Sequence, residues 1–383
     1  MTPLITSSSH GMTLADVHGK TYIDLIAGLA SCLGHRHPAV CEAMRAACDS
    51  HLGAPLDRLP EDWHHALGVP FVAFDHCHLT ASANDANELA LRLARTHAEG
   101  DRYRVITLLG SDHGDTLALR SASGRAAAQR WDGPVAAGYR HVVPGDAAAI
   151  EKVIDENTAA ICLSPVDWNR GGEALDTEYL VAIELLCREH GLLLVMDETR
   201  VPPGVGGSWF FHQRAEVAPD IVTASAGWTG GLPGACVLFG ARVSDKFAAL
   251  GPPPAAPWLP SQQDMPLLRM ILTATARTLT SEQLLHRIGE TADAWAAMLD
   301  EAVAGFDFIR GCVSAGLWTT IELDLPAIEL ADTLLAAGLR LQATGDTTVL
   351  ICPPVNATGE SLLDAIQPLR DALESIERAT TSS

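Results

Sequence analysis

The sequence predicts an α/β protein built on a mostly parallel sheet. Runs such as Leu192–Met196 and Ala159–Val166 are short and continuously apolar, as strands covered on both faces must be. Amphipathic helix-like segments, Glu178–His190 among them, separate these runs and give a repeated strand–helix–strand order. Asp197 and Glu198 follow Leu192–Met196 at its carboxyl end, where open α/β sheets bind their ligands.

Taken in order, Gly11–Leu25 reads as a small hairpin with a His-Gly turn, and a helix runs from about Ala39. His35 and His37, just before it, read as residues that fix the loop and the helix entry. His76–Ser82 is a strand and Asn84–Thr96 a helix, its apolar side carried by Leu89, Leu91, Leu93 and Ala94. The strand Arg104–Gly110 leads into Ser111-Asp112-His113-Gly114, where Asp112 either caps the next helix or serves as an acid/base group. Asp146–Asn157 is helix-like. Glu178–His190 ends at Gly191, as a helix with a C-cap glycine should. Ile221–Val222 begins a further strand, followed by the glycine-rich Thr223-Ala224-Ser225-Ala226-Gly227-Trp228-Thr229-Gly230-Gly231, and Ala235–Gly240 is another strand. Gly251–Pro260 is a proline-rich connection. Helices over Met265–Leu279 and Thr280–Val303, strands near Leu317–Leu323 and Thr347–Cys352, and a closing helix from Glu360 complete the chain.

Length and composition narrow the function. A chain of 383 residues predicts two or three domains. With 26 basic against 47 acidic residues its formal charge is -21, which repels nucleic acid and anionic membranes and leaves a small molecule as the expected partner. The nine cysteines include no C-x-x-C pair, so reduced, packed thiols in a cytoplasmic protein are expected. There is no signal-peptide pattern, no apolar run long enough to cross a bilayer, and no metal-ligand spacing. The only lysines are Lys20, Lys152 and Lys246, and all three read as surface residues.

The order of motifs resembles the class III aminotransferases, a pyridoxal phosphate (PLP) family of fold type I that includes glutamate-1-semialdehyde aminomutase. Pro219-Asp220-Ile221-Val222-Thr223, Gly227, Gly230 and Gly231 match the family's lysine motif, and Ala226 stands where its Schiff-base lysine belongs. The resemblance gives Asp197 the pyridine-nitrogen contact and Arg200 the position of a glutamine that touches a cofactor oxygen. It puts the phosphate cup at Ser82-Ala83-Asn84, with Ser82, Ala86, Asn87 and Glu88 matching, Ala83 replacing a glycine and Asn84 a hydroxyl. Asp112 falls where an aromatic ring stacks on the cofactor, and Ser261 on a threonine that reaches the phosphate of the neighbouring subunit's cofactor.

What the resemblance implies is a large domain with a mostly parallel seven-stranded sheet, a small α+β domain and a homodimer. The expected division is 1–45 for the first part of the small domain, 46–265 for the large domain and 266–383 for the interdomain helix and the rest of the small domain. Departures at Ala83, Asn84, Asp112 and Ala226 lead to an expectation of no cofactor, with noncovalent PLP or pyridoxamine phosphate (PMP) as the alternative. The activity expected is a repurposed, PLP-independent biosynthetic enzyme with Asp112, His113 and Asp197 as acid/base groups and Arg200 binding an anion. An engineered Lys→Ala variant of an active aminotransferase and a noncatalytic partner subunit are the alternatives.

Overall fold

The computed structural model describes residues 4–51, 63–98, 101–125, 130–249 and 265–381. Ser261 and the proline-rich segment lie outside them. In chain order the strands are β1 (Thr6–His10), β2 (Thr13–Asp16), β3 (Thr21–Asp24), β4 (His76–Thr80), β5 (Arg104–Leu108), β6 (Tyr139–Val142) and β7 (Thr158–Leu163). Then come the two-residue β8 (Val166–Asp167) and β9 (Glu173–Ala174), β10 (Leu193–Glu198), β11 (Ile221–Ala224) and β12 (Ala235–Phe239). The last are β13 (Ile309–Ala315), β14 (Trp318–Leu323), β15 (Leu339–Arg340), β16 (Gln342–Ala343) and β17 (Thr348–Ile351).

Seven strands form the central sheet in the order β4-β12-β11-β10-β7-β5-β6. Only β12 runs antiparallel to its neighbours. The mostly parallel sheet is therefore as expected. Its strands are buried on both faces because successive side chains point to opposite sides. Val195 and Ile221 pack with Leu89 and Leu93 of the helix Ala83–His97, whereas Leu194, Met196 and Val222 join a second cluster with Ile183 of the helix Thr177–Glu189.

Two smaller sheets flank this layer, β1-β2-β3-β15 and β13-β14-β17-β16. The first unites the two ends of the chain, since β15 pairs in parallel with β3. Asp24, fully buried, is held there by Arg340 Nη1 at 3.0 Å and His35 Nε2 at 2.8 Å. His35 thus has the structural role expected of it. His37 lies 3.9 Å from Glu282 at the entry to the helix Pro38–His51.

The flanking β13-β14 hairpin meets the central part through its turn. Gly316 has φ +74, and a Cβ there would lie 2.0 Å from the Val205 carbonyl oxygen, which also accepts the Leu317 amide at 2.7 Å. Backbone cannot move aside as a flexible side chain can. Gly316→Ala should therefore lower stability by about 2 kcal/mol or more, read as a shift in the urea midpoint. An unchanged midpoint would show that this turn is not tightly seated.

Among the cysteines, Cys32, Cys77, Cys162, Cys187, Cys236 and Cys352 are buried and all nine are free thiols. Among the described residues no group of three or more His, Cys, Asp or Glu could hold a metal, and no helix is long and apolar enough to cross a membrane.

Candidate functional site

The acidic pair at the end of β10 serves two purposes, because adjacent strand residues face opposite ways. Glu198 turns away from the site and anchors the segment after β10. It accepts the amides of Phe211 at 2.7 Å and His212 at 2.8 Å, and the His212 ring at 2.7 Å. Asp197 turns the other way, toward Asn87 and His113. Its Oδ2 meets His113 Nδ1 at 2.7 Å and Asn87 Nδ2 at 2.9 Å, while Oδ1 accepts the Thr199 hydroxyl at 2.6 Å and amide at 3.0 Å.

Asp197 is only 2 % exposed. Burial alone would raise its pKa, but the hydrogen bond and charge of His113, with the Thr199 hydroxyl and amide, outweigh it and hold the carboxyl below its ordinary value. The group is a buried carboxylate kept ionised at neutral pH. Above it, Ala226 follows the end of β11 and donates its amide to the Thr199 carbonyl at 2.9 Å.

A cavity of about 300 Å³ opens over these residues, and Asp112, Arg125, Trp168, Thr199, Arg200 and Ala226 are among those that line it. Asp112 Oδ2 lies 2.8 Å from Arg200 Nη1 and 3.9 Å from Arg125 Nη2. The Arg200 guanidinium lies over the Trp168 ring, 5.3 Å from its centroid. Asp112 does not cap the following helix: Thr116 is its N-cap, with its hydroxyl accepting from the Leu119 amide.

Ser82, Ala83 and Asn84 sit apart from that cavity, at the half-buried start of the helix Ala83–His97. The Ser82 hydroxyl is occupied by the helix itself, accepting from the Asp85 amide and donating to the Asp85 carboxylate. Asn84 Oδ1 accepts the Asp115 amide at 3.1 Å. Sequence reasoning missed Arg125, Trp168 and Thr199. Thr199 stands two residues from Asp197 in an otherwise matching motif and was open to notice; Arg125 and Trp168 reach the cavity only through the fold.

A family model, "Aminotransferase class-III", matches residues 1–373. Acetylornithine aminotransferase of Mycolicibacterium smegmatis is 31% identical over 368 residues, which covers 93% of this chain and 90% of that protein. The enzyme of the same name from Nostoc sp. is 29% identical over 392 residues, covering 98% and 90%. Among solved structures, ornithine aminotransferase from Toxoplasma gondii, with partial occupancy of PLP at its active site, superimposes with a TM-score of 0.88 at 22% identity, covering 99% of this chain and 92% of that one. An amine transaminase from an uncultivated Pseudomonas species, in a PLP-bound form, gives 0.87 at 20%, covering 97% and 95%.

These relatives correct one expectation. A protein without a cofactor is not what this family and fold point to: the chain has the fold of PLP enzymes, and its solved neighbours include PLP-bound ones. The departures at Ala83, Asn84 and Asp112 misled because each was weighed as a loss of binding. The buried, ionised Asp197 remains at the end of β10 despite them. Match and fold together span nearly every residue, and the chain belongs to the class III aminotransferase family.

Proposed function

We propose that this chain binds PLP or PMP without a covalent bond and uses it on a small-molecule substrate, with Asp112 as the proton carrier in the cleft. The observation that carries the reading is Ala226. It lines the cavity at the position where the matching motif has its lysine, and among the described residues no lysine lines that cavity.

The remaining side chains fit the cofactor. Asp197 is a buried anion suited to a protonated ring nitrogen. His113 Nε2 and Ser111 Oγ, close by in the chain, are buried with no hydrogen-bond partner. Such atoms cost about 1–3 kcal/mol each, so a polar group bound there relieves them. The first-turn amides of Ala83 and Asn84 have no acceptor within their helix and suit a phosphate. Ser82 would hold that helix start in shape, and Arg200 would face the ring oxygen. When bound, PLP supplies an electron sink for charge developing beside an amine. Asp112, braced by Arg200 and Arg125, is placed at the cavity wall to take or return the proton. His113 keeps Asp197 charged and oriented rather than meeting the substrate.

A homodimer belongs to the same reading, as does the division of the chain at about residues 45 and 265. Equilibrium dialysis of the full chain against PMP and PLP tests it. Both should bind reversibly, and borohydride should fix no PLP to the denatured protein. Failure of both to bind, or a borohydride-stable adduct on the unaltered chain, would overturn it.

A further inference from the structure

We propose that a second cavity, which shares the wall of β16 with the cleft, binds a carboxylate carrying an apolar tail, and that this ligand alters the cleft through the shared strand. The ligand is neither cofactor nor substrate, so the inference goes beyond the cofactor reading.

The cavity holds about 650 Å³, against about 300 Å³ for the cleft, and is of the size that takes a small organic molecule. It lies where the two ends of the chain meet. One end supplies Leu4, Leu14 and Ile26, and the other supplies Leu341 and Leu335, which lies on the helix Ala327–Ala336. Two aliphatic walls therefore face one space. Only a ligand with an apolar body removes those walls from water.

The polar end consists of Asp24, His35 and Arg340, the ionisable side chains that line the cavity. The Asp24 side chain is wholly buried and its needs are met from within. It accepts Arg340 Nη1 at 3.0 Å on each oxygen, His35 Nε2 at 2.8 Å and the Ile26 amide at 3.2 Å. Arg340 is spent through Nη1 alone. Its Nε and Nη2 have no partner among the described residues, and the side chain is 39% exposed. A guanidinium tied down at one nitrogen is held in orientation, and the donors left over form a fork that suits the two oxygens of a carboxylate.

The link to the cleft lies in the backbone. Gln342 and Ala343 line both cavities. Arg340 belongs to β15, which pairs with β3 in one small sheet, while Gln342 and Ala343 form β16, which pairs with β17 in the other. Only Leu341 separates the two strands. A ligand held by Arg340 thus fixes the segment that joins the sheets, and the same segment walls the cleft. Coupling of this kind is reciprocal: whatever binds in the cleft changes affinity at the second cavity by the same factor.

Titration calorimetry of the full chain with octanoate, butyrate and octanamide tests the site. Octanoate should bind once per chain, and butyrate and octanamide should each bind at least tenfold more weakly. Arg340→Lys keeps a cation for Asp24 but loses the fork, and Leu335→Trp fills the apolar end while leaving the three polar groups in place. Each should weaken octanoate at least tenfold. Should Arg340→Lys fail to fold, Leu335→Trp and the octanamide comparison decide the matter. No binding of octanoate, octanamide binding equally well, or unchanged affinity in either folded variant would overturn the site. Hydrogen exchange reads the coupling: octanoate should slow exchange at residues 342–344. Octanoate that binds without slowing it would overturn the link to the cleft. None of these measurements uses PLP or PMP, so their failure leaves the cofactor reading standing, and the reverse holds.

Discussion

Ala226→Lys should convert this protein from reversible to covalent cofactor binding. With PLP, the variant should gain a visible absorbance band and a mass increase after borohydride, both absent from the unaltered chain. The cavity beside Ala226 has about 300 Å³ of space, enough for the longer side chain. Arg125 and Arg200 nearby disfavour a further positive charge, which keeps part of the new amine neutral and nucleophilic. An amine at this position also adds a proton carrier next to the reacting carbon. The rate of amino-group transfer between the cofactor and an amine should therefore rise at least about a thousandfold, or roughly 4 kcal/mol of barrier. A variant with no band, or with a band and no gain in rate, would show that residue 226 does not face the cofactor.

The largest effect on stability is expected at Asp197. His113, Asn87, Thr199 and Thr223 all direct donors at its two oxygens, and none of these groups is exposed. Asp197→Ala leaves those donors without an acceptor in the interior and should cost about 3–5 kcal/mol, read from urea denaturation. PMP binding should be lost with it. Asp197→Asn keeps the shape and should be milder in stability, yet still lose PMP, because an amide cannot supply the negative charge. The acid limb gives a separate check. The folded carboxyl titrates below the ordinary aspartate value, so its contribution is complete at neutral pH and disappears as pH falls through that depressed pKa. The stability gap between the unaltered protein and Asp197→Asn should accordingly close below about pH 4. A gap that stays constant to strongly acidic pH would contradict a depressed pKa.

The central sheet was legible because its strands are buried on both faces and so read as unbroken apolar runs. Thr158–Leu163 and Leu193–Glu198 are buried at every residue. The edges were not legible for the opposite reason. Thr6–His10 is a polar strand with mostly exposed side chains, and Tyr139–Val142, at the other margin of the central sheet, has two exposed residues in four. The helical reading of Asp146–Asn157 ran too long. That helix stops at Glu151, and Asp155, Asn157 and Thr158 instead bond among themselves in a turn. In the site, Asp197 and Ala226 could be found because each sits in a motif with fixed spacing from a strand. Arg125 follows a six-residue helix with no motif around it, and only folding brings it to Asp112.

The pairing of β15 with β3 has a consequence for how the protein is made. Asp24 and its partner Arg340 are 316 residues apart. At typical synthesis rates, about 5–20 residues per second, roughly 15–60 s pass between the emergence of one and the other. Throughout that interval the outer margin of β3 has no partner and is available to any other extended segment. Protection of the nascent chain, rather than stability of the finished molecule, is the step at which crowding on the ribosome would lower its yield.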